Sequence, residues 1–348
     1  MNLRRFRRWA AAAGILVVLL AFLAEAWTVL VLREGDAPLP PLFGNSERNR
    51  GRLAAQPPKE EFSFAVVGDT MSIGTFERLA EKLRVLNPDM AVLLGDCAYV
   101  GTEGAHRLLR AESAEVALPC PTFYAVGNHD VDPDGFTLAR FEETYGPSIF
   151  SFEYQGCLFI VLRALDRRFD NQETLKFLNQ FTPEQIASYR HSFAFMHIPP
   201  PINPDGLGRK MSGGEELMNT IERLGIQWVF TGDYHGYVRV ERGRTHYVVT
   251  GGGGGHLVTR HTEQFHHALV VKVANDRVEE RLIPAARDYD LEDAFEKVAF
   301  LYLGPFGRQH RPIVIVSNLT AGLILVCLLR NVWRPGGPGK KKLEPKAP

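Results

Sequence analysis

Between residues 62 and 283 short apolar runs alternate with amphipathic stretches, and several of the runs end abruptly in small polar clusters. Residues 62–67, 90–94, 122–126, 191–195 and 227–230 are too short for helices and rich in β-branched and aromatic residues, so they read as buried strands. After the first of them Phe76, Leu79, Ala80, Leu83 and Leu86 recur at helical spacing until Asn87-Pro88 stops the helix. Residues 215–224 predict another helix, ended by Gly225. After Gly232 the helical period disappears. Residues 237–241 and 245–250 predict one hairpin around Arg242-Gly243, and residues 267–274 and 277–282 a second around Asn275-Asp276. Helix-covered strands first and paired strands later predict an α/β protein with two packed sheets and helices outside. No internal repeat is visible.

Both ends depart from this alternation. Residues 9–32 are almost wholly apolar, broken only by Glu25 and Thr28, and follow the basic start Arg4-Arg5-Phe6-Arg7-Arg8. About 20 apolar residues cross a bilayer, so this stretch is long enough for a membrane helix. Ala24-Glu25-Ala26 also offers the small-x-small pattern of a signal-peptide cleavage site. Apolar residues continue past that site to Leu32, which favours an anchor. Residues 312–329 are apolar apart from Ser317, Asn318 and Thr320, with Arg311 and Arg330 at the ends and Arg334, Lys340, Lys341 and Lys342 beyond. A buried core helix is the alternative there, but a basic Pro/Gly-rich tail is a poor partner for one. Basic flanks tend to stay in the cytoplasm, so two spans would place the middle of the chain in a periplasmic or other extracytoplasmic space. Residues 33–61, rich in Pro, Arg and Gly without an apolar period, read as a linker. Residues 291–303 are amphipathic and are expected along the membrane surface.

Composition changes this picture little. Forty Lys and Arg balance forty Asp and Glu, and no basic stripe crosses the middle region, so no nucleic-acid partner is expected. The four cysteines, Cys97, Cys120, Cys157 and Cys327, contain no Cys-x-x-Cys pair, which removes the signature of zinc ribbons and thioredoxin-like chemistry. One disulfide remains compatible with them, its pairing undefined.

The chemistry lies in five clusters that follow the five strands: Gly68-Asp69-Thr70, Gly95-Asp96-Cys97-Ala98-Tyr99, Gly127-Asn128-His129-Asp130, Met196-His197 and Gly232-Asp233-Tyr234-His235. Ligands of open α/β sheets collect beyond the carboxyl ends of the strands. Carboxylates, an amide and imidazoles gathered there are the donor types that hold catalytic divalent metals. A glycine run, Gly251–Gly255, precedes His256 and reads as a flexible turn, though glycines also permit close approach to a phosphate. His261, His266 and His267 show no ligand spacing.

The order of these clusters over residues 62–283 resembles the calcineurin-like metallophosphoesterase superfamily, with Gly-Asn-His-Asp the most specific of the five motifs. The resemblance implies a four-layer α-β-β-α sandwich of two mixed sheets and two divalent or mixed-valence metal ions (Fe, Mn or Zn). It implies that Asp96 bridges them, that Asp69 and His235 bind the first, and that Asn128 and His197 bind the second. The first motif departs from the common Asp-x-His: Asp69-Thr70-Met71 offers a soft thioether that suits packing better than a hard metal site. Gly95-Asp96-Cys97-Ala98-Tyr99 matches the Gly-Asp-x-x-Tyr of the purple acid phosphatase branch, which makes Tyr99 either a replacement ligand or a residue packed beside the site. The last motif has Asp233 where the family has His, so Asp233 is a harder ligand, a partner behind the ligands, or a mark of a decayed site. His129 is the expected general acid, with Asp130 orienting it. The implied reaction is attack of a metal-bound hydroxide on a phosphomonoester or phosphodiester, either soluble or lipid-linked. The rivals are a non-catalytic binding relative and a nuclease-type member.

The expected organisation is thus a cytoplasmic N-terminus (1–8), a transmembrane helix (9–32), a linker (33–61), the metallophosphoesterase domain (62–285), a juxtamembrane segment (286–311), a second transmembrane helix (312–329) and a basic cytoplasmic tail (330–348). The expected partners are the membrane and a phosphoester substrate, with the oligomeric state open.

Overall fold

Strands buried on both faces need apolar residues at every position, whereas strands with one wet face alternate. In the computed structural model, which describes residues 3–71, 74–202, 207, 211–257 and 264–333, both kinds occur. The expected tail residues Arg334, Lys340, Lys341 and Lys342, and His261, lie outside the described residues. Two units are distinguished: Leu32–Leu301, and Met1–Val31 together with Tyr302–Pro348.

Chain order is α1 (Leu3–Glu34), α2 (Glu47–Ala54), β1 (Glu61–Val67), α3 (Thr75–Leu86), β2 (Met90–Leu93), α4 (Glu103–Glu115), β3 (Thr122–Tyr124) and α5 (Leu138–Tyr145). There follow β4 (Phe150–Tyr154), β5 (Cys157–Val161), α6 (Gln172–Leu178), α7 (Pro183–Ala187), β6 (Ser192–Met196), α8 (Gly214–Leu224) and β7 (Trp228–Thr231). Next come β8 (Tyr237–Arg242), β9 (Thr245–Thr250), β10 (His267–Ala274) and β11 (Arg277–Pro284). The chain ends with α9 (Leu291–Val298), a π-helical turn (Ala299–Leu303), α10 (Gly304–Gln309) and α11 (Arg311–Trp333).

Two mixed sheets result, ordered β11-β10-β1-β2-β3 and β4-β5-β6-β7-β9-β8. β1, β2 and β3 run parallel, and so do β5, β6, β7 and β9. Both expected hairpins form, but they join different sheets. β8 closes the edge beside β9, while β10 inserts next to β1 with Phe64 opposite Val271. The burial of β10 explains its inner place, since Leu269, Val271 and Val273 all enter the core between the sheets.

That core is aromatic. Phe64, Val66 and Val92 of the first sheet meet Phe159, Phe193, Phe195 and Phe230 of the second, with the Phe64 ring edge-on to Phe193 at 5.1 Å. Burying each phenylalanine contributes roughly 1.5–3 kcal/mol. The alternate residues of β1 and β2, Ala65, Val67, Ala91 and Leu93, pack on Leu79 and Leu83 of α3 and Leu109 of α4. On the second sheet Ile160, Ala194 and Val229 pack on Leu217 and Ile221 of α8. The helix stops behave as expected, with Asn87 (φ 48°) and Gly225 (φ 76°) left-handed at the ends of α3 and α8.

Residues 33–61 are not the free linker that their composition suggests. They carry α2, bury Leu53, and are held by two side-chain amides, of which Asn45 pins β3. Asn45 Nδ2 donates to the Tyr124 carbonyl at 2.8 Å and its Oδ1 accepts from the Tyr124 N–H at 2.8 Å, as an added strand would. Asn49 Nδ2 donates to the carbonyls of Leu42 and Gly44. Segments held by side-chain amides rather than an apolar face leave no hydrophobic period. Residues 299–303 likewise are not wholly available to a membrane surface. Phe300 is buried, with the Arg107 guanidinium 5.8 Å from its ring.

In the other unit, α1 and α11 are each long and apolar enough to cross a membrane, with mean hydropathies of 2.6 and 2.4 over their candidate spans. Their apolar side chains are largely exposed, Leu23 and Leu323 among them. The polar interruptions of the two helices find each other: Asn318 Nδ2 donates to Glu25 Oε1 at 2.7 Å. No disulfide joins the four cysteines, and Cys97, Cys120 and Cys157 are buried.

Candidate metal centre

Each cluster sits where a strand of one sheet or the other ends, and the turns there are tight. Asp69, Asp96 and Asp233 all have left-handed backbones, with φ of 57°, 49° and 61°. Such conformations cost L-residues about 1–3 kcal/mol and persist where the surroundings enforce them. Here they turn three carboxylates toward one point.

Asp69, Asp96 and His197 are buried and offer ligand atoms that all lie within 4.8 Å of one another. His197 is central. Its Nδ1 donates to the Leu94 carbonyl at 2.9 Å, which leaves Nε2 to face Asn128 Oδ1 at 3.1 Å, Asp96 Oδ1 at 3.2 Å and Asp233 Oδ1 at 3.8 Å. His235 repeats the device: Nδ1 donates to the His256 carbonyl at 2.5 Å while Nε2 lies 3.4 Å from Asp69 Oδ1. Fixing one ring nitrogen by a carbonyl is how metal-binding histidines are oriented. The Asp233 N–H donates to Asp69 Oδ2 at 3.1 Å.

Packing charges this way shifts their protonation. Burial raises the Asp69 carboxyl, whereas at Asp96 the attraction of His197 outweighs burial and lowers it. Burial would push the imidazoles down, yet Asp96 holds His197 well above its ordinary value, and Asp69 holds His235 up at about 9. Protons on the two imidazoles thus offset the carboxylates when no cation does so. Asp69 Oδ1 and Asn128 Nδ2 are buried without a hydrogen-bond partner. Convergent hard oxygens, two imidazoles with Nε2 turned inward and an orphaned carboxylate oxygen fit a metal site.

Asp130 has a different task from the one expected. Its carboxylate accepts the N–H groups of Gly127 (2.7 Å), Asp96 (2.9 Å) and Ala98 (2.8 Å), so it clamps the second and third clusters together. Burial, reinforced by Asp96, pushes it up to about 6. His129 is oriented instead by the Tyr99 carbonyl, 3.1 Å from Nδ1, and its own N–H donates to Asp96 Oδ1 at 2.7 Å. Its Nε2 stands 3.9 Å from Asp96 Oδ2. Tyr99 is 38% exposed, and its ring centroid lies 3.4 Å from Lys297 Nζ.

The glycine run is wedged rather than free. A Cβ on Gly251 would lie 2.5 Å from Asp69 Oδ2, and one on Gly255 2.6 Å from the His235 ring, so no other residue fits behind these two side chains. His267 is a core residue bonded to Thr250 Oγ1 and the Phe265 carbonyl. Three contributors escape motif reading. His106 Nε2 donates to the Asp130 carbonyl and Nδ1 accepts from Tyr145 Oη, Arg168 donates to the Asn128 carbonyl, and Lys297 comes from far along the chain. Beside the cluster opens a cavity of about 930 Å³, lined by Met71, Tyr99, His129, Phe265, Arg287 and Lys297 among others. Met71 is thus a wall residue.

Residues 62–237 match the calcineurin-like phosphoesterase domain. The chain therefore belongs to the calcineurin-like phosphoesterase family, a family of hydrolases of phosphoesters. Among curated relatives it is 28% identical over 190 residues to the serine/threonine-protein phosphatase CPPED1 of Bos taurus, covering 46% of this chain and 58% of that protein. The human protein of the same name is also 28% identical, over 187 residues. Similar solved structures include a purple acid phosphatase from yellow lupin (TM-score 0.48, 13% identity, covering 68% of this chain and 55% of that one). A dimetal phosphatase from Danio rerio is another (TM-score 0.45, 13% identity, 66% and 98%).

Proposed function

We propose that the chain is a membrane-anchored, two-metal phosphoesterase built as a four-layer α-β-β-α sandwich. The observation that carries this reading is the convergence of Asp69, Asp96 and His197 within 4.8 Å in a chain of this family. Asp69 and His235 would hold one metal, Asn128, His197 and Asp233 the other, with Asp96 between them. Two ions bound there would supply Lewis acidity and an activated water. Family membership, the three convergent carboxylates and the inward-facing imidazoles together support this assignment.

The chain's own groups then do the positioning. With Nδ1–H held by the Tyr99 carbonyl, His129 presents Nε2 to the substrate, and its protonated form carries the proton for the departing alkoxide. Tyr99 remains a candidate ligand of the first metal. Asp130 keeps the ligand loops in register through its three N–H acceptors. Lys297 and Arg287 line the cavity beside His129, where two cations favour an anionic substrate. Met71, Leu257 and Phe265 give the same cavity apolar walls, which supports a substrate with an apolar body, as a lipid-linked phosphate has. The exposed apolar helices α1 and α11 support anchoring in the bilayer that would supply it, with both termini cytoplasmic.

A second reading follows from the relatives' name, serine/threonine-protein phosphatase: hydrolysis of phosphoserine or phosphothreonine in proteins. Both are tested on the full-length chain in detergent, by metal analysis followed by hydrolysis of p-nitrophenyl phosphate, a lipid phosphate in mixed micelles and a phosphopeptide. Faster turnover of the lipid phosphate is expected. Preference for the phosphopeptide would select the second reading. No bound metal and no hydrolysis with iron, manganese or zinc would overturn the enzymatic one.

A further inference from the structure

A second set of carboxylates converges among α3, α4 and α9. Glu77, Glu112 and Asp293 each turn one oxygen toward the others, and the three oxygens all lie within 4.8 Å of one another. Glu112 is 3% exposed, and its Oε2 is buried without a hydrogen-bond partner. Burying a carboxylate unpaired is too costly to persist, so either a proton or a cation must accompany it.

Oxygens at 2.3–2.6 Å from one calcium ion can be no more than about 5 Å apart, a limit the three oxygens meet. The donors are all hard oxygens, with none of the imidazoles that accompany the carboxylates of the candidate catalytic centre. The arrangement is also held in advance. Asp293 Oδ1 accepts the Gly74 N–H at 3.1 Å and Oδ2 accepts the Asp290 N–H at 2.7 Å, which leaves lone pairs on both oxygens. Thr75 Oγ1 exchanges hydrogen bonds with the carbonyl and the N–H of Asp288, and Arg78 pairs with the Asp288 carboxylate, so the segment before α9 is latched to the first turn of α3. Nearby acids deepen the negative field: Glu115, Asp288 and Asp290 act on Glu77, and Glu296 on Glu112.

We propose that Glu77, Glu112 and Asp293 form a calcium site, separate from the two-metal centre, that staples α9 to α3 and α4. Waters complete the coordination, because three carboxylates leave several positions open. The consequence reaches the cavity wall, since α9 carries Lys297 and calcium would hold that lysine over Tyr99. Binding would neutralise a cluster that burial and mutual repulsion otherwise force to keep protons: Glu112 is pushed up to about 9 and Glu77 to about 7.

The test uses full-length chain in detergent, stripped with chelator and dialysed against about 1 mM radioactive calcium. Asp69→Asn weakens the two-metal centre, and Glu112→Gln and Glu77→Gln remove the new site while keeping side-chain size. Wild type and Asp69→Asn are each expected to bind about one calcium more than either Gln variant, and calcium to raise the wild-type melting temperature by about 5 °C or more at hundredfold excess over Kd. That rise should be absent in both Gln variants, whose cooperative melting without calcium confirms folding. Equal calcium binding by wild type and the Gln variants would overturn the site. So would a wild type that ignores calcium and is stabilised by Glu112→Gln, which is the behaviour of carboxylates that share protons.

Discussion

Two groups of three acids in this domain answer the same electrostatic problem differently. At the sheet ends Asp69, Asp96 and Asp233 face two imidazoles and an amide, and the charges are largely matched: burial raises Asp69, but Asp96 ends below its ordinary value and the imidazoles above theirs. Among α3, α4 and α9, burial and the neighbouring acids push Glu77 and Glu112 upward. Carboxylates beside imidazoles can pass between protons and metals without leaving a bare charge. Carboxylates alone must take up a proton or a cation. The first arrangement suits a reactive centre whose charge changes during turnover, and the second a structural staple.

The sharpest way to break the comparison is to remove a carboxylate from the matched group. Asp96→Asn is expected to lower kcat/KM for a phosphoester by at least about a thousandfold, equivalent to about 4 kcal/mol of transition-state stabilisation. Metal content measured on the same preparation should fall with it. Retention of both would mean that the matched cluster is not where the chemistry occurs. Glu112→Gln should leave activity within a few-fold of wild type in the same assay, because it lies in the other group.

His129→Ala comes next. A positioned general acid contributes about 10²–10⁴ in rate, so kcat should fall by that factor while metal content is unchanged. The expected signature is loss of the limb of the pH–rate profile that reports the acid. A poor alkoxide leaving group should suffer more than p-nitrophenolate, which departs without protonation. Equal losses for both would make His129 a binding group.

Much of the matched centre is legible in the chain because its parts sit directly after strands, and a strand that ends in a glycine and an acid announces a turn with a ligand on it. Asp69, Asp96, Asn128, His197, Asp233 and His235 are brought together as those motifs imply. Asp130 was legible as present but not in its role, since a carboxylate that accepts three backbone N–H groups looks, in sequence, like one that orients a histidine. His106 and Asn45 act through backbone carbonyls of distant segments, which no side-chain pattern encodes. The acidic staple is illegible for a further reason: its members come from three helices, and nothing in helical periodicity brings positions 77, 112 and 293 together. Among the elements, the period-2 and period-3.6 patterns located β1–β3, β6–β11, α3 and α8, but they did not place α4–α7 or the β4–β5 hairpin. They could not say that the two late hairpins enter different sheets, because pairing partners depend on which face finds an aromatic core.

The pH response of stability sharpens the contrast behind the centre. His106 lies against Phe136, ring centroids 3.5 Å apart, and burial drives it down to about 3. Unfolded, it titrates near 6.5. The unfolded chain therefore binds the extra proton between these values, and the stability that neutral His106 contributes is present above about pH 6.5 and lost as pH falls toward 3. His267, driven down to about 4, acts in the same direction. Melting temperature should fall across this range in wild type, by an amount on the order of a few kcal/mol of stability, and His106→Gln should flatten the slope while lowering the plateau. An unchanged slope in His106→Gln would assign the acid sensitivity to other groups.

The smallest effect tests the link between the two regions. Lys297 stands over Tyr99 at the cavity wall, and a cation over an aromatic ring at a partly exposed position contributes about 0.5–1 kcal/mol. Lys297→Met keeps much of the apolar stem and removes the charge. It is expected to raise KM for an anionic phosphoester by roughly three- to fivefold with kcat nearly constant, because the lysine attracts substrate and transition state alike. The effect should shrink as salt is raised, since it is electrostatic and half-exposed. If calcium holds α9 in place, stripping calcium from wild type should raise KM in the same direction, and stripping it from Lys297→Met should change little. A KM that responds to calcium equally in both chains would separate the staple from the cavity wall.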